Sequence, residues 1–304
     1  MSEELNFEGR VAVITGAGRG LGRAHALLLA ANGAKVVVND VGSSLQGDGP
    51  DAGPAQEVVD EIRAAGGEAV ANTDSVSTAE GGEAIIQAAY DAFGRLDILI
   101  HNAGNVRRGS LKDMSHEDFH AVVDVHLMGA WNVVRPAFPR MCEAGYGRIV
   151  LTSSIGGLYG NRGVVNYAVS KAGMIGLAST AAIEGEAEGV KCNLIIPAAV
   201  TRMAEGLDIS AYPPMDPELV APTVGWLAHE SCSVNGEMLV SIAGRVARAY
   251  VAETPGVYQP AWTMREVGER MEEIRDTSEP LIFPVVTGHA DHIRYSFGRA
   301  NAGK

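Results

Sequence analysis

The stretch RVAVITGAGRGLG, residues 10–22, decides the fold. Its first six residues form an apolar run rich in β-branched side chains, the composition of a strand buried on both faces. Gly16, Gly18, Gly20 and Gly22 follow, and then LGRAHALLLAANG, whose apolar spacing is helical up to a stop at Gly33. A strand that runs through clustered glycines into a helix opens a βαβ unit. The turn can approach a ligand closely, and the helix start aims its free amide groups at an anion.

The same alternation continues outward from this stretch. KVVVND (35–40), EAVANT (68–73), LDILIHN (96–102), GRIVLTSS (147–154), VKCNLIIP (190–197) and EMLVSI (237–242) read as strands. Between them lie helical stretches at about 54–65, 78–93, 116–141, 163–187 and one opened by Asp216-Pro217. These predict an α/β chain with a Rossmann-type, doubly wound parallel sheet of about seven strands and helices on both faces. Residues 42–55, rich in Gly, Ser and Pro, predict an extended loop. Residues 1–245 are expected to form one nucleotide-binding and catalytic domain. Residues 246–304, with the short charged helix MREVGERMEEIRD and a polar tail, are expected to be a packing or oligomer arm of that domain.

Composition excludes several classes. A net charge of −13 over 304 residues does not suit a surface made for nucleic-acid phosphates or anionic lipid. Cys142, Cys192 and Cys232 are far apart and form no metal-ligand pattern, so no metal is expected and a reducing, cytoplasmic setting is. No run approaches the roughly 18 apolar residues of a membrane span, so no membrane partner is expected either.

Asp40 closes the second strand about 20 residues beyond the glycine turn, where a carboxylate accepts hydrogen bonds from an adenosine ribose and repels a 2′-phosphate. This reading selects NAD. Arg19 admits two readings, a partner for a 2′-phosphate or a solvated charge, and Asp40 outweighs it because it faces the ribose directly. Asp74 likewise reads either as the edge of an adenine pocket or as an exposed turn residue. Further along, Tyr167 and Lys171 stand four apart in NYAVSKAG and share one helix face, while Ser154 ends a strand shortly before them. A phenol with a pKa near 10 needs a neighbouring cation to act as a base at neutral pH, and a hydroxyl can hold a substrate oxygen. Singly each residue is ordinary; their order along the chain is not.

That order resembles the short-chain dehydrogenase/reductase family over about residues 7–245. By resemblance, Gly16, Arg19, Gly20, Leu21, Asp40, Asp74, Ser75, Asn102, Ala103, Gly104 and Thr201 bind the cofactor, together with Tyr167 and Lys171. Ser154, Tyr167 and Lys171 are implied as the catalytic residues of an alcohol–ketone oxidoreductase. His126, in VDVHLMG, stands where the family usually has an asparagine that holds a water of the proton relay, and it joins the catalytic candidates. The words VVVNDVG, VHLMG, TSSIGGLYGN, NYAVSKAGMIGLA and LAHESCSVNGE are similar to the (3R)-hydroxyacyl-CoA dehydrogenase branch found in peroxisomal multifunctional enzymes of type 2. The resemblance implies a 3-hydroxyacyl-CoA substrate, with a hydroxysteroid or other bulky secondary alcohol as the alternative. It also implies a homodimer or homotetramer. Arg107, Arg108 and Arg162 read equally as contacts for CoA phosphates or as solvated charges. A noncatalytic NAD-binding sensor or structural subunit is the reading from another class.

Overall fold

The computed structural model describes residues 5–42, 53–200 and 213–302. Seven strands pair in parallel: β1 (Val11–Thr15), β2 (Lys35–Asn39), β3 (Glu68–Asn72), β4 (Ile98–His101), β5 (Gly147–Thr152), β6 (Val190–Ala198) and β7 (Met238–Ile242). An eighth, β8 (Arg245–Ala249), adds an edge, and the order is β3-β2-β1-β4-β5-β6-β7-β8. The seven parallel strands agree with the expectation of about seven; the additional edge strand β8, whose sequence RVARA carries two arginines, has too little apolar signal to be read beforehand.

Every residue of β1, β4 and β5 is buried, because helices cover both faces of the sheet. α1 (Gly20–Ala31), α2 (Gly53–Ala64) and α3 (Ala79–Phe93) connect the first four strands. The chain leaves β1 toward β2 on one side and reaches β4 on the other, so the strand order reverses between β1 and β4. Thr15 and His101 pair in register at the carboxyl ends of these two strands, the place where such a sheet opens a crevice for a ligand.

The expected helix at 116–141 is three pieces: α4 (His116–Val123), a π-helical turn (Asp124–Met128) and α5 (Gly129–Glu143), the last containing Pro136 and Pro139. A π turn inserts one residue into the helical ladder and leaves the apolar period nearly unchanged, so periodicity alone does not show it. A short helix, α6 (Ile155–Tyr159), starts on Ser154, whose hydroxyl accepts the Gly156 amide. α7 (Val165–Gly185) follows, and α8 (Ala221–Ala228) packs against α1.

The chain divides into two compact units, Met1–Arg248 and Ala249–Lys304. In the second unit, the expected charged helix is two short ones, α9 (Met264–Glu269) and α10 (Met271–Ile274). The expected polar tail instead contains α11 (Val285–Ala302), an 18-residue helix without a buried residue. Among the described residues no helix is long and apolar enough to cross a membrane.

Candidate active site

The glycine turn lies where backbone must pass backbone. A β-carbon on Gly22 would stand 2.2 Å from the Gly16 carbonyl oxygen, and one on Gly16 would stand 2.7 Å from Cα of Ala103. Gly16 and Gly20 also have φ of +63° and +54°, a left-handed conformation that side chains disfavour. The closeness is tied by hydrogen bonds. Asn102 Nδ2 donates to the Gly16 carbonyl at 3.0 Å, and the amides of Asn102 and Ala103 donate to Thr15 Oγ1 at 3.1 and 3.2 Å. The Thr15–Gly22 turn and the Asn102–Gly104 segment are thus one backbone unit built on two strand ends.

Asp40 belongs to the same unit. Its carboxylate accepts the Gly18 amide at 2.9 Å and the Gly42 amide at 2.7 Å, and a β-carbon on Gly18 would lie 2.9 Å from Asp40 Oδ2. A fixed acidic group therefore stands beside the phosphate-type turn, the geometry a dinucleotide's ribose requires. Arg19 precedes α1 in extended backbone and is partly exposed, as is Leu21. Asp74 is exposed, tied to Asn72 through its carboxylate and amide, and Ser75 bonds Ser77. Asn39, buried beneath, donates to Asn72 and to the Asp74 carbonyl and so fixes this rim. Thr201 lies outside the described residues.

Ser154, Tyr167 and Lys171 come together on α6 and α7 beside the ends of β4 and β5. The Ser154 hydroxyl lies close enough to the Tyr167 phenol to favour its ionised form. The Lys171 ammonium lies 5.5 Å from the centre of the Tyr167 ring and donates to the Thr152 carbonyl at 2.5 Å. Burial raises the phenol above its ordinary value of 10, and the Ser154 hydroxyl pulls it partway back. Burial also lowers Lys171 to about 7. The Tyr–Lys pair by itself therefore does not make a phenolate at neutral pH; a further positive charge near the ring is needed.

His126 sits in the π turn, 1 % exposed, with its ring edge-to-face on Tyr167 at a centroid distance of 5.2 Å. Its Nε2 faces both the amide (3.1 Å) and the carbonyl oxygen (2.9 Å) of Asn105, and one tautomer serves only one of them. Nδ1 is buried without a partner among the described residues. Desolvation, with Lys171 nearby, holds the imidazole well below 6.5 and therefore neutral.

Several residues that sequence reasoning missed hold this arrangement. Asn166 is fully buried, and its Nδ2 donates to the carbonyls of Arg107 and Asp118, which clamps the 105–118 segment to the start of α7. An isolated bridge between Gly109 and Val164 reinforces the clamp and brings the segments bearing Arg107, Arg108 and Arg162 side by side. Arg108 and Arg162 are exposed; Arg107 is partly buried. His101, the last residue of β4, also escaped notice, although its place directly before Asn102 was a usable signal.

A family model described as short chain dehydrogenase matches residues 10–208. The chain is 50% identical over 255 residues to peroxisomal multifunctional enzyme type 2 of Drosophila melanogaster, a match covering 83% of this chain and 42% of that one. It thus spans about two fifths of that relative's length. It is 39% identical over 255 residues to a hydroxyacyl-CoA dehydrogenase of Mycobacterium tuberculosis, covering 77% of this chain and 78% of the other. Among solved structures, that of the full-length Drosophila enzyme superposes with a TM-score of 0.80 at 39% identity, over 97% of this chain and 50% of that one.

Proposed function

Because the chain belongs to the short-chain dehydrogenase/reductase family, and is an oxidoreductase by that membership, we propose that it oxidises the 3-hydroxyl of a 3-hydroxyacyl-CoA with NAD. The observation that carries the reading is the meeting of Ser154, Tyr167 and Lys171 beside the end of β5, joined through His126, which lies against both Tyr167 and Gly104, to the segment packed on the Thr15–Gly22 turn. NAD supplies the hydride acceptor when bound, and its nicotinamide carries positive charge. The glycine turn and the amides at the start of α1 would hold its pyrophosphate, and Asp40 would accept from the adenosine ribose. Asp40 also supports NAD over NADP, since a 2′-phosphate would meet a carboxylate already fixed by two amides.

Ser154 Oγ orients the substrate oxygen, and Tyr167 Oη takes the hydroxyl proton as the C–H bond breaks. Lys171 Nζ, seated between Thr152 and the phenol, favours the deprotonated tyrosine in proportion to its own charge. His126 takes the place of the relay asparagine, and Nδ1 is the ring atom left to hold a water, since Nε2 is engaged by Asn105. The thioester is supported by the name of the mycobacterial relative and by the adjoining segments that carry Arg107, Arg108 and Arg162. Residues 246–304 are read as a packing or oligomer arm of a homodimer or homotetramer, which light scattering of the whole chain tests. A cytoplasmic setting is read from the three free cysteines, whereas several relatives have peroxisomal names; fractionation decides.

The direct experiment offers NAD with (3R)-3-hydroxyacyl-CoA esters and, in parallel, with hydroxysteroids, and follows reduced-nicotinamide absorbance. Turnover of the thioesters is expected. Turnover of the steroids alone would reject the thioester reading.

A further inference from the structure

Two buried histidines meet beside the ends of β1 and β4, and one of them, His126, sits in the π turn. The other, His101, is 0 % exposed, yet both of its ring nitrogens are hydrogen-bonded. His25, equally buried in α1, has neither satisfied. The contrast marks His101 as a built contact.

The direction of each bond follows from counting donors. Thr15 Oγ1 already accepts two amide hydrogens, from Asn102 and Ala103, so its own proton goes to His101 Nδ1 at 3.0 Å. With Nδ1 an acceptor, the ring hydrogen of the neutral imidazole is on Nε2, which points at the His126 carbonyl 3.0 Å away. The π turn breaks the regular ladder there, and this carbonyl also takes the Gly129 amide. Gly129 makes room for the contact: a β-carbon on it would lie 3.2 Å from His101 Cε1. The ring of His126 in turn rests on Tyr167. A continuous path therefore runs from the end of β1 through His101 to the π turn and the phenol.

We propose that His101 is a positioning residue, whose Nε2–H bond to the His126 carbonyl sets the depth of the π turn and so seats His126 and Tyr167 against the strand ends that carry the glycine turn. The effect on turnover rests on the dehydrogenase reading above; the tautomer and the seating do not. Burial keeps His101 neutral, at about 3, so the bond persists throughout the range in which the enzyme would work.

Three substitutions separate positioning from mere packing. His101→Gln keeps a donor that reaches the His126 carbonyl, His101→Asn is long enough only for Thr15, and His101→Leu keeps neither. Leu and Asn are expected to lower kcat roughly tenfold or more, as displaced reacting groups do. Substrate KM and the Kd for NADH should stay within about twofold of wild type. The pH–rate limb belonging to Tyr167 should move to lower pH, because a loosened turn hydrates the phenol. Gln should restore both kcat and the limb. Wild-type behaviour of Leu and Asn, or a Gln variant no better than Leu, overturns the proposal. Should Leu not fold, 15N NMR of histidine-labelled wild type, Gln and Asn proteins decides the matter without any substrate. His101 must be an Nε2–H imidazole, neutral at pH 5, and the His126 signals must be retained in Gln and displaced in Asn; an Nδ1–H form, or unmoved His126 signals in Asn, overturns it. If wild type turns over no hydroxyacyl-CoA, the substrate reading fails while these spectra still judge His101.

Discussion

A β-carbon placed on Gly104 would stand 2.3 Å from Cε1 of His126. The imidazole is thus seated on bare backbone, and the two residues are sterically one feature although they lie on different elements. Gly104→Ala should displace the ring from Tyr167 and destabilise the protein by about 1–3 kcal/mol, the usual range for overpacking. Denaturant melts check the stability and kcat checks the seating. An alanine variant with unchanged melting and turnover would show that the ring moves freely.

Tyr167→Phe removes the phenol that stands against Ser154. A fall in kcat of roughly a hundredfold or more is expected, the scale of a lost general acid–base group, with NADH affinity preserved. Stopped-flow hydride transfer and fluorescence titration measure the two separately. Full turnover by the phenylalanine variant would remove Tyr167 from the proton path.

Asp40→Ala deletes the carboxylate that accepts the Gly18 and Gly42 amides. The NAD-to-NADP preference should fall by roughly tenfold or more, equivalent to about 1.4 kcal/mol, because the like-charge barrier to a 2′-phosphate disappears. Steady-state kinetics with both dinucleotides reads the ratio. A wild type that already favours NADP would reverse the cofactor assignment.

His25 and His101 are both held down to about 3 by burial, below the ordinary 6.5. The unfolded chain therefore binds these protons first, so stability is lost as pH falls from about 6.5 toward 3. His25→Leu removes one share of that loss together with two unsatisfied nitrogens. It should add on the order of 1–3 kcal/mol at neutral pH and flatten the acid limb. Urea melts at pH 7.5 and 5 give both numbers, and equal acid slopes for the two proteins would contradict the account.

Local signals carried most of what could be read beforehand. The glycine turn, Asp40 and the strands around them declare themselves in a few adjacent residues, and the structure brings Ser154, Tyr167 and Lys171 close to one another. The π turn was invisible because its wider step hardly disturbs the apolar period of residues 116–141. β8 and α11 were missed for the opposite reason: Arg245–Ala249 and Val285–Ala302 lack a buried stripe that periodicity could detect. His101 and Asn166 act through bonds to residues distant in the chain, His126 and Arg107; the position of His101 before Asn102 could mark the residue, but not the partner it bonds.

Lys171 has a consequence that heat can measure. With its amine near 7 and sealed against Thr152, it is partly protonated at neutrality, so whatever alters the charge beside it must trade a fraction of a proton with the buffer. The apparent enthalpy of dinucleotide binding near pH 7 should therefore depend on the ionisation enthalpy of the buffer, and that dependence should change in Lys171→Met.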